Sequence, residues 1–181
     1  MKETITIYGT EVDRAELAAT LKDAEMNSYR NHNFDYCVIL DTETGELETD
    51  LYMQNSCSER VWKGLDVVLW TTNNRYFSAF YDWFADGIIS DEETNKFVRD
   101  AIGEEAYAAV EAAAAEEEEQ PWFYARLDYS NVLDSAVVDQ YGEELLWYFD
   151  PEEIISEIER RAKQEAEWEA EQEAERAAYA W

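Results

Sequence analysis

Asp35-Tyr36-Cys37-Val38-Ile39-Leu40-Asp41-Thr42-Glu43-Thr44-Gly45-Glu46-Leu47-Glu48-Thr49-Asp50-Leu51-Tyr52-Met53 decides the fold class. The Tyr-Cys-Val-Ile-Leu core of 35–41 suits a buried strand. Thr44-Gly45 turns the chain, and 46–53 alternates apolar with polar residues. Two such runs around a glycine-containing turn predict an antiparallel hairpin. Upstream, Thr4–Tyr8 alternates and reads as a short strand. Asp13, with Glu16 three positions later, carries a helix-start signature ahead of Leu17, Ala18, Leu21 and Ala24. A helix is expected over about 13–29. Downstream, Leu65–Thr72 is a third β-rich run. The first 72 residues therefore predict a small, mainly antiparallel sheet with one helix packed on it.

The pattern then turns helical. Tyr76, Phe77, Phe80, Tyr81 and Phe84 form an aromatic helix stripe. Gly87 can end it, and Ser90 with Glu93 can cap the next helix, whose apolar face is Phe97, Val98, Ala101 and Ile102. Residues 104–119 are rich in Ala and Glu and helix-prone, and Pro121 stops them. Trp122–Tyr129 alternates and reads as a strand that returns to the sheet. Residues 131–148 read as a helix, interrupted near Gly142. Asp150-Pro151-Glu152-Glu153 starts a last helix, with an N-cap Asp, Pro at the first position and acids in the first turn. Ile154, Ile155, Ile158 and Ala162 give its first half a face that can dock. After Lys163 that stripe fades. A glutamate at every second position then winds around the whole helix, so the segment should project into solvent or fray, and sustained heptads are absent. The expected class is α+β. Residues 1–150 form a single domain, sheet-rich over 1–72 and helix-rich over 73–150, followed by an acidic C-terminal helix over 151–181.

Composition limits the function. The 181 residues hold 43 acids against 14 Lys and Arg, for a formal net charge of −29. With 46% hydrophobic residues, seven Trp, twelve Tyr and seven Phe, the chain can still build a core. Direct binding to free nucleic acid or to an anionic membrane is disfavoured by charge repulsion. No apolar run suggests a signal peptide or a membrane span, and two cysteines make no disulfide framework, so a cytoplasmic location is expected.

Catalytic chemistry finds few candidates. His32 is the sole histidine, in Arg-Asn-His-Asn at a helix end, and reads as a polar loop residue. Cys37 lies in an apolar strand and reads as a small buried hydrophobe. Cys57 has no evident basic neighbour to activate it. No Gly-rich phosphate loop, CxxC or HExxH motif occurs, and among 43 acids no carboxylate pair stands out. The chain is therefore expected to be non-enzymatic and to need no cofactor. One metal pattern exists: Asp82, Asp86 and Glu93 sit where an EF-hand loop places ligands, with Gly87 at the loop's sixth position. Phe84 occupies the third position and supplies no oxygen. The competing reading is a helix–turn–helix with a Ser90 cap.

The charge itself is the remaining feature. Solubility needs a net magnitude of only about 2–8 on a small domain. Salt adaptation would spread acids evenly, yet here Glu116, Glu117, Glu118 and Glu119 form one cluster, and Glu165, Glu167, Glu169, Glu171, Glu173 and Glu175 another. Glutamates at every second helical residue rise about 3 Å apart. A strand of B-DNA carries one phosphate per about 3.4 Å. Exposed aromatics such as Trp168 and Trp181 could anchor a partner within that polar field.

In this acidic, Gly- and Pro-poor, aromatic-rich composition the chain resembles the DNA-mimic inhibitors of phages and mobile elements, the anti-CRISPR and anti-restriction proteins. The likeness covers composition over the whole chain, and the two glutamate clusters are its sharpest local features. It implies an inhibitor that binds a basic nucleic-acid-binding protein, the nuclease of a bacterial defence system. A CRISPR-Cas effector such as Cas9 or a restriction enzyme fits, with DNA binding or cleavage blocked. An acidic adaptor or chaperone for a basic protein shares the charge signature and stays open, as does dimerisation through the last helix.

Overall fold

The computed structural model describes residues 3–52, 59–85 and 87–180. Along the chain come β1 (Thr4–Ile7), β2 (Thr10–Asp13), α1 (Arg14–Arg30), β3 (Tyr36–Asp41), β4 (Leu47–Leu51), α2 (Glu59–Trp62) and β5 (Asp66–Thr71). Helices α3 (Ala79–Phe84), α4 (Asp91–Ile102), α5 (Glu104–Glu116), α6 (Pro121–Asp128), α7 (Ser130–Leu145) and α8 (Pro151–Tyr179) follow. The fold is α+β. Two compact units form. One comprises Met1–Ala24, Tyr36–Thr72 and Phe149–Trp181, the other Glu25–Asp35 and Asn73–Tyr148. An expected single domain over 1–150 with 151–181 beside it draws these boundaries differently.

The first unit holds both sheets. β1 and β2 pair antiparallel, with Ile7 opposite Thr10. Tyr8 and Gly9 join them at φ of 50° and 76°, the two positive angles that a tight two-residue hairpin requires. The second sheet has the order β4-β3-β5, antiparallel throughout. Its hairpin pairs Leu40 with Leu47 and Tyr36 with Leu51. The strand expected over 46–53 ends at Leu51, and Met53 lies outside the described residues. Asp13 Oδ1 accepts the N–H groups of Ala15 and Glu16, which starts α1 where the sequence signature places it. Ile7, Val12, Leu17, Leu21, Val38, Leu40, Leu69, Ile155 and Ile158 make one buried core. Burying each such side chain contributes about 1.5–3 kcal/mol. The docking face read in α8 is thus part of this core.

The second unit is helical. Ser78 Oγ accepts the Tyr81 N–H at 3.1 Å and caps α3. The aromatic stripe therefore starts later than its spacing implies. Phe77 and Tyr76 precede the helix, and Tyr76 has a positive φ of 77° and is exposed. Phe80, Phe84 and Phe97 pack as a trio with ring centroids 5.0–6.1 Å apart. Ser90 and Glu93 form the full capping box of α4. α5 ends at Glu116, short of 119.

One element differs in kind. The strand expected over 122–129 is helix α6, which starts on Pro121 as its first residue. Aromatic residues favour strands, and eight residues fit either period. Pro121 decides the matter: it terminates α5 but also supplies the preset φ of a helix start. The sheet accordingly has no strand from this region. α7 is interrupted at Tyr141, one residue before Gly142, where φ and ψ leave the helical range. Among the described residues no helix is long and apolar enough to cross a membrane.

Candidate functional site

The Glu165–Glu175 cluster lies on one continuous helix. Asp150 Oδ1 accepts the N–H groups of Glu152 and Glu153, which starts α8, and the helix runs unbroken to Tyr179. The glutamate-rich half is helical throughout, as Ala and Glu both favour helix. From Lys163 to Glu171 and from Glu173 to Ala180 every residue is exposed. Two residues turn a helix by about 200°, so the glutamates fall into two rows on opposite flanks. Glu165, Glu169 and Glu173 make one row, and Glu167, Glu171 and Glu175 the other. Within each row the rise is about 6 Å.

The two rows differ in what adjoins them. Beyond Ala162 the first row continues the face that carries Ile155, Ile158 and Ala162 into the core. It meets the β1–β2 turn, where Thr6, Tyr8, Gly9, Glu159, Ala162, Lys163, Glu165, Ala166 and Glu169 line a groove of about 320 Å³. The Tyr8 hydroxyl lies beside Glu165 and Arg161. Burial pushes its pKa up, and the Glu165 carboxylate pushes it further. In the second row Glu167 stands 3.8 Å from Lys163 Nζ. Among the described residues, Glu169, Glu171, Glu173 and Glu175 have no ion-pair partner. Trp168 is 61% exposed and Tyr179 84%. Trp181 lies outside the described residues.

Glu116, Glu117, Glu118 and Glu119 close α5 and are all exposed. Acids at a helix C-terminus oppose the macrodipole. Glu118 also takes a positive φ of 58°. Tyr124 of α6 feels this cluster: burial raises its phenol pKa, and Glu117, Glu119 and Glu116 raise it further. This cluster belongs to the helical unit and the α8 rows to the sheet unit.

A buried polar hub was not visible in the sequence. Asp134 of α7 is fully buried. Its Oδ1 accepts the Phe80 N–H at 3.0 Å and the Ser78 hydroxyl at 2.9 Å, and its Oδ2 lies 2.5 Å from His32 Nδ1. His32 is therefore tied down instead of free in a loop. The trio has the residue types of a nucleophilic triad but another order. The carboxylate sits between Ser and His, so the Ser78 hydroxyl donates to Asp134 and not to the imidazole, and it also caps α3. Burial raises the Asp134 pKa, against its hydrogen bonds from Phe80, His32 and Ser78. The available signal was an acid at position 134 within the Leu133, Val137 and Val138 stripe.

Cys37 is buried in β3, and burial raises its thiol pKa. Cys57 and Asp86 lie outside the described residues. Asp82 sits within α3, where burial raises its carboxyl pKa. Glu93 accepts the Ser90 N–H and hydroxyl, and these bonds lower its pKa. Among the described residues no group of three or more His, Cys, Asp or Glu is placed to hold a metal ion. Comparison with known proteins found no family model, no curated protein and no solved structure that matches.

Proposed function

We propose that this chain is a non-enzymatic acidic binder that occupies the cationic nucleic-acid channel of a basic protein, a DNA mimic of the anti-CRISPR or anti-restriction kind. One observation carries the reading: six glutamates within about 15 Å of an exposed helix, one per about 3 Å of its axis, close to the linear charge density of one phosphate strand. Among the described residues, Glu169, Glu171, Glu173 and Glu175 have no ion pair to offset this arrangement. Like charges four residues apart destabilise a helix by a few tenths of a kcal/mol per pair. Carboxylates held on a rigid rod would displace the counter-ions of a cationic groove and steer association at low salt.

The test is affinity capture from a bacterial lysate at low and high salt, followed by DNA competition on the purified captured protein. Under the proposal, a nuclease or other DNA-binding protein is recovered, released by salt and displaced by duplex DNA. A captured protein that holds DNA and this chain together would replace mimicry with an adaptor role. Recovery that neither salt nor DNA reverses would overturn the proposal.

A further inference from the structure

We infer that the groove beside the β1–β2 turn is where α8 receives an arginine or lysine side chain of its protein partner, so that the two glutamate rows have unequal roles. The inference rests on the mimicry reading and adds a polarity to it. Three observations point to one flank. The first row extends the face that docks Ile155, Ile158 and Ala162, so it abuts the β1–β2 turn while the second row does not. The groove lining includes the buried Ala162 and the exposed Ala166 together with Glu159, Glu165 and Glu169. Lys163, the cation among its lining residues, is paired at 3.8 Å with Glu167 on the other row, and Glu159 is paired at 3.7 Å with Arg14, which leaves Glu169 without an ion-pair partner among the described residues. Small apolar residues beside carboxylates fit a long aliphatic stem ending in a cation, since such side chains pack their methylenes and keep their heads on polar partners. The volume of about 320 Å³ accommodates one such chain. A second copy of this protein is the wrong occupant, because it brings −29 to the same surface. Tyr8 lies beside both Glu165 and Arg161, so this side of the groove is already in place before binding.

Matched double neutralisations test this on the full chain, with fluorescein-labelled octa-arginine as probe. E165Q/E169Q and E167Q/E171Q remove equal charge from the same helix. The first pair is expected to weaken peptide binding about tenfold, as lost charge-assisted hydrogen bonds do. The second is expected to weaken it about twofold, through screened long-range attraction alone. Unchanged melting temperatures would show that both variants fold. Equal losses would overturn the groove and leave diffuse mimicry standing. No loss from either pair would overturn both readings.

Discussion

Asp134 Oδ2 lies 2.5 Å from His32 Nδ1, while the other oxygen of the same fully buried carboxylate holds the Phe80 N–H. One side chain on α7 thus fixes both the start of α3 and the segment after α1. D134A would leave the buried Phe80 N–H and the half-buried Ser78 hydroxyl without this acceptor and should cost about 3 kcal/mol or more. H32A leaves Asp134 with two donors and should cost about 1–2 kcal/mol. Urea unfolding followed by tryptophan fluorescence ranks the two. Equal costs would mean that the hub does not organise the α3 start.

Glu25 makes acid a stabiliser. It is 5% exposed on α1, and burial raises its pKa, helped by Asp35 and opposed by a hydrogen bond from Asn74. Its folded pKa lies above its unfolded value, so the folded state holds the proton more tightly. That contribution is fully present below the ordinary glutamate range and is lost as pH rises through the raised value. Asp134 shifts the same way. The melting temperature should therefore climb as pH falls from neutral toward about 5. E25Q should raise it at neutral pH and change it little in acid. A differential scanning fluorimetry series across pH checks both, and a variant less stable at neutral pH would contradict the sign.

Much of the sheet unit was legible because its signals are local. Asp13, the Thr44-Gly45 turn and Asp150-Pro151 each act within a few residues, and the structure uses all of them. β2 was missed because four residues, Thr10–Asp13, show no period of their own. Tyr8-Gly9 was the cue, disguised by a non-glycine residue at positive φ. α6 was misread because aromatic residues outweighed Pro121. Glu116–Glu119 and the α8 glutamates could be named from sequence, since exposure follows from a charge run. Asp134 could not, because one buried acid among 43 is distinguished only by the long-range partners His32 and Ser78. The groove likewise depends on Tyr8 and Glu165 meeting across more than 150 residues.

Gly45 is required by both its angle and its neighbour. Its φ is 78°, and a Cβ there would lie 3.0 Å from the Glu11 carbonyl oxygen on β2. Backbone cannot move aside as a flexible side chain could. G45A should therefore destabilise the sheet unit by about 1–3 kcal/mol, where alanine usually stabilises. Chemical denaturation measures it, and an unchanged midpoint would show that the turn relaxes freely.

The two halves of α8 should separate stability from binding. Ile158 is 1% exposed in the shared core, so I158A should cost about 2–5 kcal/mol and lower the melting temperature accordingly. Removal of 165–181 deletes exposed helix, the approach of Glu165 to Tyr8 and the like-charge repulsion between glutamates. The melting temperature should then stay within about 2 °C. Affinity for octa-arginine should move the other way: retained in I158A wherever it is folded, and lost in the truncation. Salt adds an independent check. The full chain should bind less tightly with each increase in ionic strength, and the truncated chain should lose most of that dependence. A truncated protein that keeps both affinity and salt dependence would move the binding surface to Glu116–Glu119 on the helical unit.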